Sequence, residues 1–432
     1  MNYQEEYRSK KVSVAEALSH IPADACITTS LCAQAPSLLL SQLHHAADDG
    51  RSFTVYSNMN MRAYPYATDE SYADRIRVDS LFMMGGDRPG YKKGLLNYVP
   101  GHLHNGPWRW EDNHPTTVFI GAVSPMDSHG FCRFSLCNIL EQEFAAKADL
   151  VICEVNPNFP KVGGQTEIHI RDIDYLVESS EPIPVLPESS EPSGADLAIG
   201  QNIASLVRDG DTIQLGIGKI PDAVAKCLLD KHDLGVHTEM LTNSIVDLTE
   251  AGVITNRKKT LMKGKTVATF ALGSQRLYDM MHDNPSVWIM PGNYLNNPAL
   301  IAQNDNMVSI NTAIEVDLTG QVFSESVGTM MYSGSGGQSD TAQGAVHSRG
   351  GRSIIALHST AKKGTVSTIN AIATPGAIVT LSRNNVDYIV TEYGIAPMRG
   401  RTAGERAANL IAAAHPDFRE QLRKDVEKYY IR

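Results

Sequence analysis

Apolar residues along the chain gather into short runs that end on Gly, Pro, Asn or Asp, with helical spacing between some of them. "TTVFIGAVSP" (116–125), "ADLVICEVNP" (148–157) and "DTIQLGIG" (211–218) read as buried strands. "ADLAIGQNIASLVRDG" (195–210) reads as a helix, with Leu197, Ile203, Leu206 and Val207 on one face and Gly210 as the stop. "PDAVAKCLLDK" (221–231) reads as another, opened by Pro221 and striped by Ala223, Val224, Cys227 and Leu228. "LGVHTEML" (234–241) reads as a strand whose alternation would set His237, Glu239 and Leu241 on one face. Strands alternating with helices predict an α/β fold with largely parallel sheets.

The pattern breaks once, at "ESSEPIPVLPESSEPSGAD" (178–196), which is rich in Pro, Ser and Glu and has little periodicity. An interdomain linker fits that composition. It divides the 432 residues into a first domain over 1–185 and a second over 195–432. Both lengths suit separate hydrophobic cores.

Composition narrows the function classes. The chain is 42% hydrophobic and 20% charged, with a formal net charge of −10. That balance argues against nucleic acid or an anionic membrane as the main partner, while a local pocket can still hold an anionic substrate. The polar start "MNYQEEYRSKKVSVAEAL" lacks a signal-peptide core, and no apolar run is long enough for a membrane span, so a cytoplasmic protein is expected. Cysteines 26, 32, 132, 137, 153 and 227 form no CxxC pair and are expected to be reduced.

Four stretches carry candidate chemistry. Glu239 is a carboxylate in an apolar run; it either reaches a strand end, where α/β proteins place ligands, or sits on a wet edge. In "QLGIGKIPDAV" (214–224) a strand enters Gly216 and Gly218 and then a helix, which presents backbone N–H groups to an anion or an oxyanion. Pro221 stands where a dinucleotide fingerprint needs its third glycine, which weighs against an NAD-dependent oxidoreductase. Gln214 is polar within that strand, either a donor to the site or a hydrogen-bonded core amide. "MMYSGSGGQSDTAQGA" (330–345) offers Gly334, Gly336, Gly337 and Gln338 for close backbone approach to a ligand, and no GK[ST] makes it a P-loop. Arg399 and Arg401, before an amphipathic helix in "TEYGIAPMRGRTAGERAANLI" (391–411), are placed to grip phosphates or a carboxylate, or are simply solvated. His102, His104 and His114 find no acidic or thiol ligand nearby, so no metal is expected. Asp127 in "GAVSPMDSHGF" reads as a turn cap, not as part of a Ser124 or Ser128 triad with His129.

Taken in order, "GAVSPMDSHGF", "QLGIGKIPDAV", "LGVHTEMLTNSIVDLTEAGVITNRKK", "IEVDLTGQVFSESVGTMMYSGSGGQSDTAQGA" and "EYGIAPMRGRT" resemble the acetyl-CoA hydrolase/transferase family, in particular its 4-hydroxybutyrate and butyrate CoA-transferases. The resemblance implies two similar open α/β domains with the active site at the cleft between them. It implies Glu239 as nucleophile, Gly216 and Gly218 beside the acyl group, and Gly334, Gly336, Gly337 and Gln338 along coenzyme A. Coenzyme A is then a substrate and no resident cofactor is expected. The partners are an acyl-CoA and a short carboxylic acid, with a homodimer expected from family and size. Some members carry a histidine in an N-terminal loop; "TTSLCAQAPSLL" (28–39) has none, and Gln34 is the candidate polar substitute.

Overall fold

The structure, a computed structural model, describes residues 2–187 and 190–432. Glu188 and Ser189 of the expected linker lie outside the described residues. Two compact units are formed: Met1–Leu186 with Ala268–Leu295, and Pro187–Val267 with Asn296–Arg432. The second half of the chain is therefore interrupted by a segment that belongs to the first unit.

The first unit is built on seven strands: β1 (Ala25–Thr29), β2 (Phe53–Tyr56), β3 (Ile76–Ser80), β4 (Leu96–Tyr98), β5 (Val118–Val123), β6 (Leu150–Val155) and β7 (Tyr175–Glu178). Their order is β7-β6-β5-β1-β2-β3-β4, every neighbour parallel. The chain winds outward from β1 to β4, then returns beside β1 and winds the other way. All six residues of β5 are buried, as a strand covered on both faces requires.

The second unit repeats the scheme with β8 (Thr212–Leu215), β9 (Gly235–Val236), β10 (Met307–Thr312), β11 (Arg352–Ala356), β12 (Tyr388–Thr391) and β13 (Gly394–Pro397). The order is β9-β8-β10-β11-β12-β13, with only β13 antiparallel to its neighbour. Here the winding reverses between β8 and β10. In such sheets ligands bind outside the carboxyl ends of the strands, at the reversal.

The helices that matter for the site are α1 (Gly194–Ala204), α2 (Lys219–Cys227), α3 (Asn243–Glu250), α4 (Gln338–His347) and α5 (Ala403–Ala413). Helix α1 opens on a capping box between Ser193 and Asp196. It ends at Ala204, six residues before Gly210, so Leu206 and Val207 fall outside it. Its buried face is set by Ile199, Gly200 and Ile203. Gly200 has a packing reason: a Cβ there would lie 2.8 Å from the Ala223 carbonyl of α2. Helix α2 starts at Lys219, two residues earlier than Pro221 suggests.

"LGVHTEML" is not one strand. Only Gly235 and Val236 form β9, and Glu239 occupies a bend beyond it. Met240 and Leu241 form a separate short strand, so the run is broken at Thr238 and Glu239.

At the amino ends of the second sheet, Asp211 and Arg352 form an ion pair, 2% and 7% exposed, across the edge of β10. Asp211 also accepts the Arg208 N–H at 2.7 Å. Burial pushes the Asp211 carboxyl up and the Arg352 guanidinium down, so desolvation outweighs the attraction for both partners. Arg352→Ala is expected to lower unfolding stability by about 3–5 kcal/mol, by leaving a buried carboxylate unpaired. Pairing Arg352→Met with Asp211→Leu should recover most of that loss in denaturant titrations. A double variant no more stable than Arg352→Ala would contradict this account.

Candidate active site

Strand β9 delivers its successors to the carboxyl edge of the second sheet. His237 N–H donates to the Ile213 carbonyl of β8 at 3.2 Å, and Thr238 N–H to the Val267 carbonyl at 3.1 Å. The Thr238 hydroxyl donates to the Leu215 carbonyl at 3.4 Å. That contact ties the residue before Glu239 to the residue before Gly216, so the two sequence candidates share one corner. The His237 ring sits 3.0 Å, at Nδ1, from the Asn304 amide.

Glu239 keeps a minor part of its surface accessible. Its Oε2 accepts a hydrogen bond from Asn296 Nδ2 at 3.0 Å, and the backbone N–H of Gly337 also donates to the carboxylate. The approach at Gly337 is closer than any side chain allows: an added Cβ would lie 1.7 Å from Oε2 and 2.3 Å from Asn296 Nδ2. Gly337 is the N-cap of α4, and Gly336 before it adopts φ +51°, a left-handed turn that glycine makes without strain. The glycine-rich stretch therefore brings main chain and a helix N-terminus onto the carboxylate.

Burial is the main reason that the Glu239 carboxyl is pushed up to about 7, and the charge of Asp340 adds to it. Asp340 lies in the first turn of α4 and is fully buried. The hydrogen bonds from Asn296 and Gly337 pull the other way, favouring the anion without cancelling the burial cost. Near pH 7 the group is thus divided between carboxyl and carboxylate, and the carboxylate is more basic than an ordinary one.

Gln214, on β8, is buried and spends its carboxamide oxygen on Ser309 Oγ and the Ile310 N–H, each at 3.1 Å. Its nitrogen lies 3.4 Å from Asn311 Oδ1. Ser309 Oγ and Asn311 Nδ2 both reach Thr341 Oγ1 on α4, at 3.0 and 3.2 Å. This network spans the reversal between β8 and β10 and anchors α4 beneath the glycines, as a hydrogen-bonded core amide would. Gly216 and Gly218 follow β8 directly, and Gly218 takes φ +116° as the N-cap of α2. Between them Ile217 is 44% exposed, an apolar side chain at the rim. Gln338 Nε2 reaches the Thr312 carbonyl at the end of β10, at 3.4 Å. Gly334 precedes the turn and is buried.

The arginines stand elsewhere. Arg399 pairs with Asp387 at 3.2 Å and donates to the Val346 carbonyl at the last turn of α4. That is nine residues, about 13 Å along the helix, from Gly337. Arg401 forms an exposed i,i+4 pair with Glu405 at 3.6 Å.

In the first unit, Gln34 is fully buried, donating to the Ala122 carbonyl at 2.5 Å and accepting the Leu136 N–H at 2.7 Å. Its amide is consumed in bracing the loop after β1. Asp127 caps its turn through the His129 and Phe131 N–H groups, at 2.8 and 3.0 Å. His102 stacks against His104, and His114 against Trp110. Among the described residues, no group of three or more His, Cys, Asp or Glu side chains could hold a metal ion, and no helix is long and apolar enough to cross a membrane. All six cysteines are free.

Sequence reading missed Asn296 and Asp340. Asn296 belongs to "NYLNNPALI", where Asn-Asn-Pro announces a helix start, and Asn297 does cap Pro298–Ile301. Nothing local separates the capping asparagine from the one that contacts a carboxylate 57 positions away.

Known proteins that this chain resembles over its full length make it an enzyme of the CoA-transferase type. Residues 1–187 match the acetyl-CoA hydrolase/transferase N-terminal domain, and residues 273–426 match the C-terminal domain of that name. The 4-hydroxybutyrate coenzyme A transferase of Clostridium kluyveri is 42% identical over 433 residues, covering 100% of both chains. Succinyl-CoA:cyclohexane-1-carboxylate CoA transferase of Geobacter metallireducens is 42% identical over 427 residues, covering 98% of this chain and 96% of its own. The crystal structure of RipA from Yersinia pestis superposes with a TM-score of 0.93 at 37% identity, over 100% of both chains. The chain belongs to the acetyl-CoA hydrolase/transferase family.

The raised Glu239 carboxyl has a consequence for stability. A carboxyl moved from its ordinary 4.5 to about 7 costs the fold nothing below pH 4.5, and the cost grows to its full value above about pH 7. Glu239→Gln should therefore stabilise the protein at pH 8, on the order of 2 kcal/mol, and much less at pH 5. Denaturant unfolding at the two pH values checks this; an equal gain at both would contradict it.

Proposed function

We propose that the protein transfers coenzyme A between a short-chain acyl-CoA and a free carboxylic acid, with Glu239 as the covalent carrier. The observation that carries the proposal is the contact of Glu239 Oε2 with Gly337 and Asn296 at the carboxyl edge of the second sheet. A surface glutamate would not be packed this way. The substrates follow from the relatives: 4-hydroxybutyryl- or butyryl-CoA as donor and acetate as acceptor are the leading pair, with acetyl-CoA in the reverse direction.

The chemistry needs neither metal nor redox group. The Glu239 carboxylate attacks the thioester carbonyl; the C–S bond breaks, leaving an acyl-glutamyl anhydride and the CoA thiolate. The thiolate attacks the glutamyl carbonyl, releases the first acid as carboxylate, and forms a glutamyl-CoA thioester. The incoming acid attacks that thioester, and the same two steps run in reverse. This is ping-pong covalent catalysis.

A carboxylate is a weak nucleophile, so placement and oxyanion stabilisation must supply most of the acceleration. One well-placed donor is worth about 3–4 kcal/mol. The backbone N–H groups around Gly216 and Gly218, at the positive end of α2, are the candidate donors. Gln214 serves them by fixing β8 to β10. Gly334, Gly336, Gly337 and Gln338 would pass along the pantetheine arm. Arg399, at the last turn of α4, and Arg401 two residues further along the chain would meet the nucleotide phosphates. Binding energy from those remote parts can be spent at the reacting carbon.

Borohydride added after incubation with an acyl-CoA should reduce the thioester to an alcohol at Glu239, located by peptide mass. Reduction at another residue, or at none, would overturn the assignment. Glu239→Ala should abolish transfer, and Glu239→Asp should retain little, since one methylene less retracts the nucleophile by about 1.5 Å. Gly337→Ala should cost about 10²-fold in kcat by displacing the carboxylate. Release of CoA in a single turnover without any second acid would instead identify a hydrolase.

A further inference from the structure

The segment "VITNRKKTLMKGKTV" (253–267) follows α3 and lies along the outer side of β9. Strand β9 is an edge, and an edge strand leaves one row of N–H and C=O groups to be satisfied by something other than a sheet. Its inner side is paired with β8: Gly235 N–H donates to the Asp211 carbonyl at 2.9 Å, and His237 N–H to Ile213. On the outer side, Leu234 N–H donates to the Val253 carbonyl at 2.9 Å and the Leu234 carbonyl accepts from Thr255 N–H at 3.0 Å. Thr238 N–H continues to Val267.

Between those backbone contacts the loop uses side chains. Val236 N–H donates to Asn256 Oδ1 at 2.8 Å, and the Val236 carbonyl accepts from Lys259 Nζ at 2.7 Å. Asn256 and Lys259 together imitate the acceptor and donor of a missing neighbour strand. Both are held in turn. Asn256 Nδ2 donates to Thr266 Oγ1 at 2.9 Å, and Lys259 Nζ donates to the Lys265 carbonyl at 2.7 Å. Lys259 is 3% exposed, and its stem lies flat on the strand. A Cβ at Gly235 would stand 2.3 Å from Lys259 Cγ and 2.9 Å from Cδ, so glycine there makes room for it.

Burying an amine in this way costs stability that an apolar side chain would not. Burial pushes the Lys259 amine down to about 7. The neutral amine still carries two N–H donors, enough for the two carbonyls it contacts.

We propose that Lys259, with Asn256, is a positioning residue for Glu239: by clamping the Val236 peptide three residues upstream, it fixes the depth at which the carboxylate meets the reacting carbon. The proposal rests on the reading of Glu239 as nucleophile. The polar contacts of both side chains are with β9 and with their own loop.

Two variants of the full chain test it. Lys259→Met keeps the length and removes the donor; Gly235→Ala leaves the amine in the chain and pushes its stem aside. In each, kcat per folded chain should fall about 10- to 100-fold while KM for the acyl-CoA stays within twofold. Hydrogen exchange at the amides of residues 236–239 should quicken at least tenfold, with β10 and β11 unchanged. A merely structural lysine would lower the yield of folded protein and could quicken local exchange, but would leave kcat per folded chain alone. Wild-type kcat in Lys259→Met overturns the proposal, whatever the exchange shows. Should Lys259→Met not fold, wild-type kcat in Gly235→Ala overturns it equally. If the native protein transfers no CoA, the nucleophile reading fails and the positioning role fails with it; the proposal alone fails when the native protein transfers CoA and Lys259→Met does so equally well.

Discussion

Contact between the Glu239 carboxylate and the main chain at Gly337 leaves no space for a Cβ, and much of the second unit is arranged so that this approach can occur. A carboxylate so placed has lost water, which is expensive unless donors replace it. Asn296 and the Gly337 N–H are such donors. They come from separate parts of the chain, and each must be aimed. Helix α4 aims Gly337 because Thr341 ties the helix to Ser309 and Asn311 of β10. Asn296 is placed by the turn that Asn297 caps. The site is therefore a property of the sheet's carboxyl edge as a whole, and no single motif contains it.

Each unit meets the same difficulty where its winding reverses. Strands flanking the reversal send their chains in opposite directions beyond the sheet, and main-chain groups there lose regular partners. In both units a buried glutamine crosses the gap. Gln34 joins the loop after β1 to Ala122 of β5, and Gln214 on β8 joins Ser309 and Ile310 of β10. An amide suits this position because one planar group offers donor and acceptor at once, without a charge to desolvate. Each glutamine stiffens the ground on which the neighbouring loop stands.

The sequence made the α/β class and the strands at 118–123, 150–155 and 212–215 legible, because a run buried on both faces is apolar throughout and ends at turn residues. Gly337 reads in the sequence as a position for close backbone approach, and what it approaches in the structure is Glu239 Oε2. The reading went astray where tertiary contacts override periodicity. "LGVHTEML" looked like one strand, yet the run breaks at Thr238 and Glu239, between β9 and a separate short strand at Met240–Leu241. The end of α1 was misplaced because Leu206 and Val207 continue its apolar spacing after the helix has ended. Asn296 and Asp340 were invisible because they meet Glu239 through long-range packing. Arg399 and Arg401 were recognisable as arginines before a helix, but only the structure shows Arg399 bound to the far end of α4.

Asp340 has a further meaning for the proposed chemistry. It stands fully buried in the first turn of α4, and its charge adds to the burial that disfavours the Glu239 anion. An anhydride or thioester at Glu239 carries no charge on the side chain. Converting the carboxylate to either adduct therefore releases both penalties together, the lost hydration and the repulsion from Asp340. On the proposed chemistry the unmodified enzyme would be the electrostatically tense member of the cycle and the covalent states the relaxed ones, with Asp340 tilting the equilibrium toward the loaded carrier.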